Sequence, residues 1–219
     1  MPTPSVLIGD DHALILSGIQ ALLEKHYRVA GTARDGRQLV EAAKQLHPDV
    51  VILDLSMPEL NGIEAAKQIH AALPAAKLIF LSMHANPAYL RKALEAGANG
   101  YVLKTGMMEE LLDAIESALQ GRTYFSPGFG QELIASLLDR SGRPARPAED
   151  LTGRQLEILQ LVAEGRLSKE IAHRLGISVK TVEFHRGRIM AKLGAHSMAE
   201  MVRLAVERGL IPPSMPRVD

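Results

Sequence analysis

The chain is 219 residues long and 47% apolar, enough to bury one large core or two smaller ones. It contains no cysteine, which excludes a disulfide framework, thiol chemistry and a Cys-ligated zinc site, so any metal must be held by oxygen or imidazole. No apolar run approaches the ~20 residues of a membrane helix, and Met1 to Ser5 lack the layout of a signal peptide, so a soluble, cytoplasmic protein with no membrane partner is expected.

The formal charge of zero conceals a division. Residues 1–120 carry 10 Lys and Arg against 14 Asp and Glu, whereas residues 151–211 carry 10 against 6. An acidic front and a basic back point to two domains with different partners, a polyanion being the natural partner of the second.

In the front half, short apolar runs alternate with segments of helical spacing. The runs are Ser5–Ile8, Arg28–Ala33, Asp49–Leu53, Lys77–Leu81 and Gly100–Leu103; the helical segments lie near Ala13–Lys25, Arg37–Leu46, Ile63–Leu73, Pro87–Ala96 and Met108–Gln120. Ile15, Ile19, Leu22 and Leu23 form one apolar stripe, and Val50–Leu53 is apolar at every position, as a strand covered on both faces should be. Pro48, Pro74 and Gly97 fall where helices hand over to strands. Five alternations predict a doubly wound α/β domain with a five-stranded parallel sheet.

Open parallel sheets place their chemistry at the carboxyl ends of the strands. There the sequence puts Asp10 and Asp11 after the first strand, Asp54 after the third, Ser82 after the fourth and Lys104 after the fifth. Three crowded carboxylates repel one another unless a cation joins them, and so few, with room for water, suit Mg²⁺. Asp11 and Asp54 are read as direct ligands, Asp10 as a ligand through water, and the Ser56 carbonyl as a further donor. With the metal and Lys104 neutralising an incoming phosphate, Asp54 can attack phosphorus to form an aspartyl phosphate, and Ser82 can hydrogen-bond a phosphoryl oxygen.

These residues carry a resemblance. Gly9-Asp10-Asp11-His12, the stretch Val50 to Pro58 with Asn61-Gly62, Leu81-Ser82, and Gly100 to Lys104 resemble the receiver domain of response regulators, over about Ser5 to Gln120. The resemblance implies a flavodoxin-like fold, phosphoryl transfer to Asp54 from a sensor histidine kinase, and Ser82 with Tyr101 as a switch pair. Thr105 stands where many receivers have proline, so the peptide geometry of that loop is not set by the resemblance.

In the back half the strands disappear. Gly121 to Gly128 reads as a break, Gln131–Leu138 as a short amphipathic helix, and Ser141 to Glu149 as a Pro-containing linker. Thr152 and Gln155 form a capping box that opens a helix to Ala163, which Gly165 stops. Ser168–Leu175 and Val179 to about Leu193 are two helices joined by Gly176-Ile177-Ser178, a helix-turn-helix. Val182, Ile189 and Leu193 fall on the inward stripe of the second helix. Lys180, Glu183, Phe184, Gly187 and Arg188 point outward, with Thr181, His185 and Lys192 along the edges, as a recognition helix in the major groove would present them. A last helix near Ser197–Arg208 puts Met201, Leu204 and Ala205 on one face, either core or a dimer surface.

Residues 151–211 resemble the C-terminal domain of the LuxR family, on Leu151-Thr152, Gly165, Lys169 to Ala172, Leu175, Ser178, Thr181-Val182, His185 and Lys192-Leu193. With the receiver, this places the chain beside the NarL/FixJ-type response regulators. The resemblance implies DNA binding, with Lys169 beside the recognition helix and Glu183, Phe184 and Gly187 at base-reading positions. Glu183 stands where relatives often carry lysine: it would repel phosphate but can accept a hydrogen bond from cytosine.

The domains expected are a receiver at 1–121, a linker with a short helix at 122–150, the helix-turn-helix domain at 151–211 and a tail at 212–219. The function expected is a phosphorylation-dependent transcription regulator, not a metabolic enzyme. A phosphatase using the same aspartyl chemistry would need a substrate cap where this chain has a helix-turn-helix, and a ligand-gated regulator would have no use for the acidic cluster. Expected partners are promoter DNA, a sensor histidine kinase and a second phosphorylated copy, with RNA polymerase a further candidate. Phosphorylation is expected to draw Ser82 and then Tyr101 inward and to alter the surface around Pro87–Ala96 and Met108–Gln120, releasing the DNA-binding domain or pairing two receivers.

Overall fold

The computed structural model describes residues 3–83, 85–129, 151–207 and 210–211. The expected helix at 131–138, the polar linker at 141–149 and the tail at 212–219 lie outside the described residues. Two compact units divide the chain, Met1–Gly142 and Arg143–Asp219.

In the first unit the order is β1 (Ser5–Gly9), α1 (Ala13–Leu23), β2 (Arg28–Ala33), α2 (Gly36–Leu46), β3 (Val50–Asp54), α3 (Gly62–Ala72), β4 (Lys77–Ser82), α4 (Pro87–Glu95), β5 (Ala98–Leu103), α5 (Met107–Leu119) and β6 (Tyr124–Phe125). The strands form one sheet in the order β2-β1-β3-β4-β5-β6, every pair parallel. The order reverses between β1 and β3, where a crevice opens at the carboxyl ends.

Side chains alternate across the sheet with period two. Val6, Ile8, Val50, Ile52, Ile79, Leu81 and Val102 pack with Leu16 and Ile19 of α1 and Leu111 and Ile115 of α5. Leu7, Val51, Leu53, Leu78, Phe80 and Tyr101 pack with Leu39, Ile69 and Leu90 of α2, α3 and α4. Caps set the helix starts: Gln38 N–H donates to Asp35 at 2.8 Å, and Glu64 N–H donates to Asn61 at 3.0 Å.

The sheet has six strands where five were expected. β6 lies in the stretch read as a break, and two residues carry no periodic signal to reveal it. It is held by more than its register with β5. Ser126 N–H donates to the Tyr101 carbonyl at 3.0 Å, Leu103 N–H donates to Ser126 Oγ at 2.8 Å, and Glu110 of α5 hydrogen-bonds the Ser126 hydroxyl. Phe129, just beyond, is buried in the core of this unit.

The second unit is helical: α6 (Gly153–Ala163), α7 (Ser168–Leu175), α8 (Val179–Leu193) and α9 (Met198–Glu207). The expected capping box forms, with Thr152 N–H donating to Gln155 Oε1 at 3.0 Å and Gln155 N–H to Thr152 Oγ1 at 3.3 Å. Gly176 closes α7 at φ 62°, a left-handed conformation that glycine takes without steric cost, and Ser178 caps α8 by accepting from Thr181 N–H at 3.0 Å. Leu156, Leu159, Ile171, Val182, Ile189 and Met201 form its core. The choice left open for the last helix is decided here: Met201 and Ala205 are wholly buried and Leu204 packs against the same core. That face closes the small domain and is not a free dimer surface.

Candidate metal centre and nucleic-acid interface

The crevice at the carboxyl ends of β1, β3, β4 and β5 gathers Asp10, Asp11, Asp54, Ser82 and Lys104. The backbone places them: Asp10 N–H donates to Ala33 O at 3.1 Å, Leu55 N–H to Leu81 O at 2.9 Å and Lys104 N–H to Ser82 O at 2.8 Å, so each strand end is tied to its neighbour. Lys104 Nζ lies 2.7 Å from Asp10 Oδ2 and 2.9 Å from Asp54 Oδ2, with all three side chains buried. Burial raises the Asp54 carboxyl above its ordinary range; Lys104 and the Ser56 N–H, which donates to it, only partly oppose that, and Asp10 adds to it. Burial pulls Lys104 down, but Asp54 and Asp10 outweigh it and hold the ammonium above its usual value.

Asp11 lies at the mouth of the crevice. His12 Nδ1 is 2.8 Å from Asp11 Oδ1 and 3.2 Å from Asp10 Oδ1. One ligand atom from each of Asp10, Asp11, His12 and Asp54 lies within 4.8 Å of all the others. Two buried carboxylates share one ammonium, so the crevice keeps negative charge, and its donors are mainly carboxylate oxygens. That set fits a hard divalent cation such as Mg²⁺. His12 was not among the expected ligands; it sits inside the quoted Gly9 to His12 motif, and its neighbours there were its only signal. Ser56 is half-buried in the loop after β3, and its backbone amide, next to the carbonyl expected as a donor, hydrogen-bonds Asp54.

Ser82 and Tyr101 meet in the interior. The Ser82 hydroxyl hydrogen-bonds the Tyr101 phenol, and burial pushes that phenol up to about 12. Tyr101 was expected to move inward on phosphorylation, yet here it is already wholly buried. Its ring lies 6.3 Å from Phe80 in a stacked pair and 5.1 Å from Phe129 edge-on, which holds it in place. Phe129 and Tyr89, which is also close to the Tyr101 phenol, were not anticipated. The turn after Lys104 closes without a cis peptide, Gly106 N–H donating to Leu103 O at 3.1 Å.

In the second unit, α8 exposes Lys180, Glu183, Phe184, Gly187 and Arg188 on one face and buries Val182, Ile189 and Leu193 on the other. Lys169, at the start of α7, is also exposed. Arg188 lies over the Phe184 ring at 5.3 Å, and His185 packs edge-on against the same ring at 5.8 Å. Among the described residues a Cβ on Gly187 would meet nothing within 4 Å, so none of them requires glycine in mid-helix. Two edge residues turn to local partners: Thr181 Oγ1 is 2.8 Å from Ser178 Oγ, and Lys192 Nζ donates to Gln155 Oε1 at 3.3 Å. Ser168, which with Leu167 departs from the residues usual before Lys169 in the LuxR resemblance, and Arg186, which was not anticipated, both contact Glu183.

An acidic crevice with a buried lysine on a doubly wound sheet and a separate helix-turn-helix define a two-part signalling protein. Residues 6–116 match the family described as the response regulator receiver domain, and residues 149–205 match the bacterial regulatory proteins of the luxR family. The chain belongs to the response regulators that join a receiver to a LuxR-type DNA-binding domain, a family of transcription factors and not of metabolic enzymes. It is 38% identical to the transcriptional regulatory protein MctR of Rhizobium johnstonii over 212 residues, covering 96% of each chain. It is 37% identical to the oxygen regulatory protein NreC of Staphylococcus carnosus over 213 residues, covering 94% of this chain and 98% of that one. Among solved structures, the RcsB response regulator of Salmonella typhimurium aligns at TM-score 0.65 and 31% identity, over 95% of this chain and 99% of that one. A structure of two RcsB dimers bound to two parallel DNAs aligns at TM-score 0.55 and 32% identity, over 93% and 98%. Among the described residues no helix is long and apolar enough to cross a membrane.

Proposed function

We propose that the chain is a cytoplasmic transcription regulator switched by phosphorylation of Asp54, with a sensor histidine kinase as donor and promoter DNA as target. The observation that carries this reading is the position of Lys104 Nζ, within 2.9 Å of both Asp10 and Asp54 at the edge of the crevice. A carboxylate oxygen of Asp54 attacks phosphorus in line, the phosphorus–nitrogen bond of the donor's phosphohistidine breaks, and the imidazole leaves with the electron pair. Lys104 stands ready to pair with a phosphoryl oxygen in place of the aspartates, and the Ser82 hydroxyl to donate to another. A Mg²⁺ ion held by Asp10, Asp11, Asp54 and the Ser56 carbonyl would neutralise phosphoryl charge. Because Tyr101 is already buried against Ser82, phosphorylation would tighten an existing pair and not create one.

On this reading the receiver runs to Phe129, beyond the expected boundary at 121, because β6 and Phe129 belong to its sheet and core. Lys169, Lys180 and Arg188 would contact phosphates, and Glu183, Phe184 and Gly187 would face base edges, flanked by Thr181, His185 and Lys192. The RcsB dimers bound to DNA support a homodimer as the binding species; on the same reading phosphorylation favours it, and RNA polymerase is a further partner at the promoter.

The test is Mg²⁺-dependent labelling by acetyl phosphate. Acid-labile phosphate should appear on the wild-type chain and vanish in Asp54→Asn; label retained at full yield in the variant would remove the assignment.

A further inference from the structure

An acidic side chain is an unusual thing to present to DNA, and Glu183 occupies the outward face of α8 with its side chain 54% exposed. It is not a lone charge. Arg186, one turn along, donates from Nη1 to Glu183 Oε1 at 3.1 Å. Ser168, the first residue of α7, hydrogen-bonds the same oxygen, and Arg186 Nη1 also donates to the Ser168 hydroxyl. Two side chains, one from each helix of the helix-turn-helix, thus close on one oxygen of Glu183. All the contacts fall on Oε1, and among the described residues Oε2 takes no hydrogen bond.

We infer that Ser168, Glu183 and Arg186 form a base-reading unit in which Glu183 Oε2 accepts a hydrogen bond from the N4 amino group of cytosine, with Ser168 and Arg186 as positioning residues. The inference rests on the DNA-binding reading above and deepens it. Arg186 removes the cost of bringing a carboxylate among phosphates, and the anchored Oε1 fixes the direction of the other oxygen. The base follows from what each offers in the major groove. Guanine and thymine present acceptors that repel a carboxylate. Adenine's N6 amino group lies between two acceptors, its own N7 and the paired thymine O4, while cytosine's N4 has an acceptor on one side alone, O6 of the paired guanine.

The experiment selects DNA from a random pool with full-length protein and acetyl phosphate, then measures affinity for every single-base-pair change in the selected site. Wild type should require one C·G pair per half-site, its replacement weakening binding on the order of tenfold. Glu183→Gln should shift that pair toward A·T, since an amide matches N6 and N7 of adenine together. Glu183→Ala should level the preference there and leave other positions alone. Arg186→Ala and Ser168→Ala should lower discrimination at that same pair, and Arg186→Lys should restore part of it, a pattern that a loss of folding would not produce. If both Glu183 variants select the wild-type site with unchanged discrimination at every pair, the unit is overturned while DNA binding stands. If wild type selects no site, both fall.

Discussion

At the scale of single residues, Tyr101 and Gly187 separate packing from function. Burial raises the Tyr101 phenol from 10.0 to about 12. A group whose acid form is favoured by folding stabilises the protein fully below its unfolded value and loses that contribution as pH rises through its folded one. Stability from Tyr101 should therefore be present below pH 10.0 and drain away between there and about 12. Absorbance at 295 nm should show a tyrosine that ionises only at the top of this window and is missing in Tyr101→Phe; ionisation near 10 would place the phenol in water. Gly187 makes the opposite case. Glycine in a helix costs roughly 0.5–1 kcal/mol relative to alanine, and the fold leaves open space where a Cβ would go. Gly187→Ala should raise the melting temperature while weakening DNA binding, because the room is then kept for the DNA. Unchanged affinity would mean that the glycine has no such role.

At the scale of elements, what could be read from the chain depended on the length of the signal. α7 and α8 were legible almost to the residue, because Gly176 and Ser178 punctuate them and the stripe of Val182, Ile189 and Leu193 spans three turns. β1, β3 and β4 were legible from unbroken apolar runs. β6 was not, since two residues have no period, and what secures it is a distant partner, Glu110 on α5. The Asp10, Asp54 and Lys104 cluster was legible because strand ends share a rim, whereas the contact of Ser168 with Glu183 depends on how two helices cross, which no spacing in the chain encodes; the Arg186–Glu183 pair, three residues apart on one helix, was within reach of spacing. The loop between β3 and α3 shows how tightly an element can fix the site. A Cβ on Gly62 would lie 2.3 Å from the carbonyl oxygen of Asp54. Gly62→Ala must push the loop away, with a cost on the order of 1–3 kcal/mol in urea denaturation and a loss of acetyl-phosphate labelling larger than that destabilisation explains. Phe129 makes the matching prediction beyond β6. Truncating a buried phenylalanine costs about 3–5 kcal/mol, so Phe129→Ala should lower receiver stability by that order and loosen Tyr101, seen as a fall in its ionisation pH. A surface residue would give neither.

At the scale of the molecule, charge separates two ways in which phosphate on one unit could govern DNA binding by the other. The modification makes an already acidic receiver more acidic, so direct attraction to DNA cannot be the means by which it raises affinity. Either it frees a DNA-binding unit that was held back, or it joins two chains on one site. Counterion release tells these apart, because the slope of log affinity against log salt is about −0.9 for each DNA phosphate neutralised. Release leaves the number of contacts in the complex unchanged: affinity rises and the slope stays. Pairing brings a second set of Lys169, Lys180 and Arg188 onto the DNA, so the slope should roughly double on addition of acetyl phosphate. Met201 and Ala205 turn one face of the last helix into the core, which leaves its outer face and the other elements for a pairing surface, and the expected outcome is the doubled slope. Lys180→Ala should then reduce the slope of the phosphorylated form by about 1.8, two phosphate contacts per dimer, and that of the unphosphorylated form by about 0.9. Equal reductions in both states would identify release as the mechanism.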